Sequence, residues 1–277
     1  MRLALCGVRG STSAPGRAFL RYGGHTSCVA VAHDDGPYRL VLDAGTGLRQ
    51  LPRWLDGRPF MGTILLGHLH WDHTHGLPFF TAGDRDEART TLLLPAQGDP
   101  LAVLARAMGP PHFPITPDQL RGRWRFAGIE PGTHELEGFE VVAAEIPHKG
   151  GRTFGYRVSD GTATIAYLSD HSPVALGPGP DGLGEYHDAA LALADGADVL
   201  LHDAQHTAKE FAARASFGHS AAEYAVGLAQ KAGARRLLLF HHDPGRTDDE
   251  LDAIVAGFGD NPLPVEAAAE GSVLDLP

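Results

Sequence analysis

The sequence predicts an α/β (α+β) protein: a four-layer αβ/βα sandwich in which two mixed sheets pack face to face with helices outside. Three observations predict it. Short apolar runs bounded by turn residues recur along the chain, strands dominating first and alternating with helical patterns later. Side chains able to ligate a metal ion stand directly after four of those strands. No repeat, low-complexity tract or linker interrupts the 277 residues, so residues 1–277 read as one domain.

Leu3 to Gly7 is an apolar first strand, followed by the polar loop Gly7-Val8-Arg9-Gly10-Ser11-Thr12. Val29–Ala32 and Tyr38–Leu42 are strands joined by Asp34-Asp35-Gly36-Pro37, a hairpin turn signal. Asp43-Ala44-Gly45-Thr46-Gly47 then opens a helix through about Leu55. Its glycines fit a tight strand-to-helix turn, and the absence of a Walker lysine or Gly-x-Gly-x-x-Gly argues against a phosphate loop. Thr63–Leu66 is a buried strand, Thr91–Pro95 another, and Pro100–Met108 a helix ended by Gly109-Pro110-Pro111. Trp124–Ile129 and Phe139–Ile146 are strands. Phe154–Val158 and Thr164–Leu168 pair across Ser159-Asp160-Gly161. Beyond the Gly/Pro-rich loop Gly177–Gly184 come a helix from Tyr186 to Asp195 and a strand from Asp198 to Leu201. Ser220 is placed to cap a helix running to about Ala232. Arg236–Phe240 is a buried strand, and the acidic start at Asp248 favours a last helix to about Gly257.

Apolar content of 43% and charged content of 21% are those of an ordinary globular protein. The formal net charge of −11 and the lack of a Lys/Arg cluster argue against a long nucleic acid as partner, because such polymers are bound largely through phosphate neutralisation. Cys6 and Cys28 lie in apolar runs without zinc-ribbon spacing and read as buried thiols, a single disulfide between neighbouring strands being the alternative. No run approaches a membrane span and the N-terminal apolar run is too short for a secretory signal, so the expected location is cytoplasmic.

The chemistry concentrates in Gly67-His68-Leu69-His70-Trp71-Asp72-His73-Thr74-His75-Gly76, directly after the Thr63–Leu66 strand. Imidazole and carboxylate are ligands for Zn²⁺ and similar ions. In extended backbone alternate residues face one way, so His68 and His70 can share one ion. After the turn Asp72 and His73 can face a second. Three further strand ends carry His148, Asp170 and His241, and independent strand ends converging on one edge is how α/β folds build a site.

His68-Leu69-His70-Trp71-Asp72-His73 resembles the His-x-His-x-Asp-His signature of the metallo-β-lactamase superfamily, and Pro147-His148, Ser169-Asp170 and Leu239-Phe240-His241 fall where its later motifs lie. The resemblance implies that His68, His70 and His148 hold one metal, that Asp72, His73 and His241 hold the other, and that Asp170 bridges them. His241 is preferred over the adjacent His242 because it comes directly off the strand. An Asp at the bridging position is unlike the antibiotic-hydrolysing members. Gly218-His219-Ser220-Ala221-Ala222 before a helix looks like the phosphodiesterase branch containing ribonuclease Z. Tyr22-Gly23-Gly24-His25-Thr26-Ser27-Cys28 and His202-Asp203-Ala204-Gln205-His206-Thr207 look like the cyclic-nucleotide phosphodiesterases of that branch, including the anti-Pycsar type. His25 stands where those relatives more often carry Asn, and His75 where an apolar or amide residue is usual. The long basic arm typical of ribonuclease Z is not evident.

The expected function is therefore hydrolysis of a small phosphodiester, a cyclic nucleotide first, by two divalent ions, Zn in the first place, with Mn, Fe or Co also compatible with His/Asp ligands. Two such ions lower the pKa of a water bridging them and clamp the phosphodiester for in-line attack by the resulting hydroxide. Asp72 is expected to orient that nucleophile or take its proton, and His219 to protonate the leaving group. Asp203 is expected to hydrogen-bond a ligand or catalytic histidine, with His25, His171 and His206 as further pocket residues. The resemblance also implies a homodimer. A lactone or thioester hydrolase on the same scaffold is the competing enzyme reading, and a non-catalytic nucleotide-binding sensor the competing binding one.

Overall fold

The computed structural model describes residues 1–277. Its strands in chain order are β1 (Arg2–Gly7), β2 (Cys28–Ala32), β3 (Leu40–Leu42), β4 (Met61–Leu65), β5 (Arg89–Pro95), β6 (Arg123–Ile129), β7 (Gly132–Leu136), β8 (Phe139–Glu145), β9 (Phe154–Ser159), β10 (Thr164–Leu168), β11 (Val199–Asp203), β12 (Leu237–Phe240), β13 (Val265–Ala267) and β14 (Val273–Asp275). The helices are α1 (Trp71–Thr74), α2 (Pro100–Ala105), α3 (Asp188–Ala194), α4 (Ala208–Arg214), α5 (Ala222–Lys231) and α6 (Asp248–Ala256). Two seven-stranded mixed sheets result, one ordered β14-β1-β2-β3-β4-β5-β6 and the other β13-β12-β11-β10-β9-β8-β7. This is the two-sheet architecture expected from sequence.

Side-chain alternation explains the layering. In β1, Leu3 and Leu5 point into the core between the sheets, whereas Ala4 and Cys6 point outward under the covering segments. In the second sheet Ile165, Tyr167, Val199, Leu201, Leu238 and Phe240 face the inter-sheet core. Their neighbours Ala166, Leu168, Leu200, Leu237 and Leu239 face the helical layer that includes α3 and α5. Both faces of these strands are covered, which is why they read as continuous apolar runs. Burying each large side chain contributes roughly 1.5–3 kcal/mol. Cys6 and Cys28 are free, buried thiols. No helix is long and apolar enough to cross a membrane.

Several elements differ from expectation for identifiable reasons. The helix expected after Asp43 is a 3₁₀ helix, Thr46–Trp54, with Pro52 inside it; proline removes a backbone donor and crowds the preceding turn, which disfavours an α-helix. Ser220 does not cap α5. The N-cap is Ala221, and the Ser220 hydroxyl instead donates to the carbonyl of His171 at 2.8 Å. Helix α4 went unrecognised although Thr207 and Glu210 form a capping box at its start. Strand β7 also went unrecognised: it is an edge strand with largely exposed side chains and lacks an apolar pattern. β13 and β14, three residues each, are too short to carry a periodic signal.

Candidate metal centre and active site

The carboxyl ends of β3, β4, β10, β11 and β12 open toward the same edge of the sandwich, so the residues that follow them meet. Asp43 leaves β3 and His241 leaves β12 directly, while Asp170 lies two residues beyond β10. All three adopt positive φ, of 62°, 57° and 62° respectively, a left-handed step that re-aims the side chain at the strand end. The loop after β4 supplies His68 and His70, and helix α1 turns Asp72 and His73 inward while leaving Trp71 outside. Gly45 packs so closely on this segment that a Cβ there would run into the carbonyl oxygen of Asp72, so the Gly-containing turn after Asp43 is indeed structural.

Two groups of ligating atoms result: His68, His70, His148 and Asp170 in one, Asp72, His73, Asp170 and His241 in the other. In each, every donor atom lies within 4.8 Å of the others. Asp170 belongs to both, one oxygen to each side. Its Oδ2 lies 3.4 Å from Nε2 of His68 and 3.4 Å from Nε2 of His148. Its Oδ1 lies 3.0 Å from Nε2 of His73 and 3.1 Å from Nδ1 of His241. His242 points away and its Nε2 faces the Ala268 carbonyl at 2.8 Å.

The donor set fits divalent cations. Both ring nitrogens of His68, Nε2 of His73 and Nε2 of His241 are buried and lack hydrogen-bond partners, an arrangement that costs free energy unless something else occupies those lone pairs. Three carboxylates, Asp170, Asp43 and Asp72, surround the His73 ring and raise its pKa well above the ordinary value, although burial alone would lower it. The surplus negative charge there is what a cation neutralises. Burial, reinforced by neighbouring imidazoles, drives His68 well below its ordinary value, keeping it in the neutral form that ligation requires. Asp170 stays ionised: burial opposes this, but His241, His73 and His68 hold its pKa well below the carboxylate range.

A supporting layer orients these groups. The Asp43 carboxylate accepts from the Gly67 amide at 2.7 Å, from the Tyr167 hydroxyl at 2.7 Å and from Nδ1 of His73 at 2.7 Å. That contact leaves Nε2 of His73 free to face the metal position. Nδ1 of His148 donates to the Gly218 carbonyl at 2.7 Å with the same effect. The Ser11 amide donates to Asp72 Oδ2 at 2.7 Å, and the Gln205 amide group reaches Ser11 Oγ at 2.8 Å. Sequence reasoning missed Asp43, Tyr167, Ser11 and Gln205. Asp43 did leave a signal, a carboxylate at the end of a wholly apolar strand, but it was absorbed into the reading of the glycine turn.

His219 lines the cavity above the metal positions, about 350 Å³ in volume, together with Asp72, Asp170 and Trp71. Its Nδ1 is 2.9 Å from Asp203 Oδ2 and 4.0 Å from Asp170 Oδ2. Burial pulls the His219 pKa down, but Asp203 first, with Asp170 and Asp72, more than offsets this and it is pushed up to about 9. Asp203 itself is anchored by the amides of His171 and Gln205. The other three candidate residues lie outside this cavity. His25 bonds Thr46 through Nδ1 at 3.1 Å. His171 lies in a buried row between His202 and His187, with ring nitrogens 3.1 and 2.5 Å from theirs. His206 is buried with its ring 6.1 Å from that of His219.

Fold and site together define a hydrolase of the metallo-β-lactamase fold with a His/Asp metal-binding site. A model of the beta-lactamase superfamily domain matches residues 38–242, and the chain belongs to that superfamily. A ribonuclease Z of Exiguobacterium sibiricum is 29% identical over 228 residues, covering 69% of this chain and 74% of its own. Among solved structures, the metallo-beta-lactamase fold protein YhfI of Bacillus subtilis superposes with a TM-score of 0.72 at 18% identity over 99% of both chains. A diphosphatase of the PhnP family does so with a TM-score of 0.70 at 19% identity, over 100% of this chain and 98% of its own.

Proposed function

We propose that the protein is a dinuclear metal-dependent phosphodiesterase acting on a small phosphodiester, a cyclic nucleotide in the first instance. The observation that carries this reading is His219, held by Asp203 in the same cavity as the residue shared by both ligand groups, Asp170. A proton donor at that position serves a poor alkoxide leaving group, which phosphodiester cleavage produces.

His68, His70, His148 and Asp170 would hold one ion, and Asp72, His73, Asp170 and His241 the other. When bound, two such ions lower the pKa of water and neutralise charge on a phosphoryl group. The remaining work belongs to the chain. Asp72 Oδ2 is fixed by the Ser11 amide and faces the second ligand group, which leaves Oδ1 to orient the nucleophile or take its proton. His219 carries a proton at Nε2 while Nδ1 is committed to Asp203, and delivers it to the departing oxygen; such acid assistance is worth roughly 10²–10⁴-fold. The cavity of about 350 Å³ suits a mononucleotide, and the name of one relative, ribonuclease Z, is that of a phosphodiester-cleaving enzyme. A homodimer and a cytoplasmic location complete the reading; light scattering and cell fractionation test them.

A second reading rests on one observation. An apolar cavity of about 220 Å³, formed by Leu77, Phe79, Val103, Leu104, Met108 and Phe113 among others, shares Leu69 with the metal cavity. It suits the acyl chain of a lactone or thioester. Metal analysis by mass spectrometry, paired with turnover of bis(p-nitrophenyl) phosphate, cyclic nucleotides, lactones and thioesters, separates the two. Two metals per chain with cyclic-nucleotide cleavage abolished by chelation is the expected result. Carbonyl-ester turnover without phosphodiesterase activity would overturn the first reading.

A further inference from the structure

Trp71 sits inside the ligand sequence, between His70 and Asp72, yet its side chain takes no part in either ligand group. It is 67% exposed, although burial would recover much of an indole's large apolar area. It nevertheless has a fixed position. The His75 ring, one helical turn on, stacks beneath it with centroids 5.6 Å apart and planes within 18°, and the His75 amide donates to the Trp71 carbonyl at 2.9 Å. His75 thus braces one face of the indole and leaves the other free. That indole borders the metal cavity shared with Asp72, Asp170 and His219. On another side it borders a hollow of about 290 Å³ carrying Gln97 and Arg106.

We infer that Trp71, braced by His75, is the specificity-determining residue of the site: a stacking platform for the nucleobase of a mononucleotide whose phosphate lies over the ligand groups. The inference rests on the phosphodiesterase reading and names its substrate as one with a planar base. A stacked base needs an exposed, pre-oriented aromatic face within a nucleotide's length of the phosphate site, and of the rings lining that cavity, Trp71, His70 and His219, the indole is the exposed one with no ligand or proton-donor role. Gln97 and Arg106 place hydrogen-bonding groups where the edge of such a base would lie. Base–aromatic stacking tolerates any base because every base has a π-face, and it is worth roughly 5- to 150-fold in affinity per base.

The test compares AMP with ribose 5-phosphate, which keeps the sugar and phosphate but lacks the base, on the Zn²⁺-loaded protein by titration calorimetry. Intrinsic fluorescence gives a second readout, since Trp71 is far more exposed than Trp54 or Trp124. AMP is expected to bind roughly 5- to 150-fold tighter than ribose 5-phosphate and to quench fluorescence. Trp71→Ala should remove that gap while leaving ribose 5-phosphate affinity unchanged, Trp71→Phe should keep most of it, and His75→Ala should keep part. Equal binding of the two ligands by the wild type, or a gap that persists in Trp71→Ala, overturns the platform while the phosphoester reading stands. Failure of the wild type to bind either ligand overturns both.

Discussion

Asp203→Asn isolates the charge that keeps His219 protonated. With Asp203 in place the His219 pKa is about 9, against an ordinary value of 6.5, a difference of about 2.5 pH units. At about 1.4 kcal/mol per unit this is roughly 3 kcal/mol of preference for the protonated ring, on a side chain that is almost wholly buried. A general acid works only while protonated, so kcat is flat below its pKa and falls about tenfold per pH unit above it. Cations at the ligand groups pull both profiles down, which makes the difference between wild type and variant the predicted quantity. The falling limb of kcat should therefore move toward lower pH in Asp203→Asn, because Asp203 contributes most among the carboxylates, with Asp170 and Asp72, that raise the His219 pKa. The substitution also costs stability. Asp203 accepts from His219 and from the amides of His171 and Gln205, and an Asn must turn its NH₂ toward one of these donors, at about 1–3 kcal/mol. Thermal melts and metal analysis at each pH keep that loss separate from the titration. A variant that retains two metals and the wild-type pH profile would refute the assignment of His219 as the acid.

Further outcomes follow from the site and from the core that carries it. Asp170→Ala takes an oxygen from each ligand group and should lower metal content from two per chain to one or none, with activity lost; two metals retained would remove its bridging role. Asp43→Ala leaves the Gly67 amide, the Tyr167 hydroxyl and Nδ1 of His73 without their acceptor and should cost about 10–100-fold in metal affinity or turnover. Tyr167→Phe, which removes one donor and leaves His73 held, should be much milder, and equal effects would count against orientation of His73. Chelation should lower Tm by about 5 °C per site that had been saturated near 100 Kd, reversed by added Zn²⁺, and an unchanged Tm would argue that the native state does not hold the metal. Phe240→Ala, in the inter-sheet core and fully buried, should cost roughly 3–5 kcal/mol in denaturant melts, and a loss below about 1 kcal/mol would contradict the packing described.

The apolar runs made β1, β2, β4, β10, β11 and β12 legible, because strands covered on both faces carry an uninterrupted signal, and β8 was legible from its alternation of buried and exposed residues. β7 was not legible: its residues, Gly132-Thr133-His134-Glu135-Leu136, are mostly solvent-facing, and pairing with β8 specifies them. The ligand histidines could be read because they are contiguous or sit directly off strands. Asp43 stands out only as a carboxylate off an apolar strand; its orienting role could not be read, because it depends on Gly67, His73 and Tyr167 meeting it from three other segments, up to 124 residues away. Ser220 failed as a cap for the opposite reason: a local rule was satisfied on paper, but the hydroxyl was drawn to a carbonyl 49 residues distant. Distant contacts therefore decided the residues around the ligands, while local pattern decided the ligands themselves.

The left-handed backbone at Asp43, Asp170 and His241 also bears on the history of such chains. A non-glycine residue in that region costs about 1–2 kcal/mol, so three of them spend a noticeable share of the roughly 5–15 kcal/mol that separates a folded domain from its unfolded chain. Backbone strain alone would favour glycine at each position; ligation keeps Asp170 and His241 there, and at Asp43 the bonds accepted from Gly67, His73 and Tyr167 outweigh the strain. A descendant released from selection for turnover and metal relieves strain by exchanging Asp170 or His241, whereas Asp43 is guarded by the buried donors of Gly67, His73 and Tyr167 that it accepts from. Loss of chemistry in a lineage carrying this fold should therefore be written first at the residues that step off β10 and β12, while the sandwich around them persists unchanged.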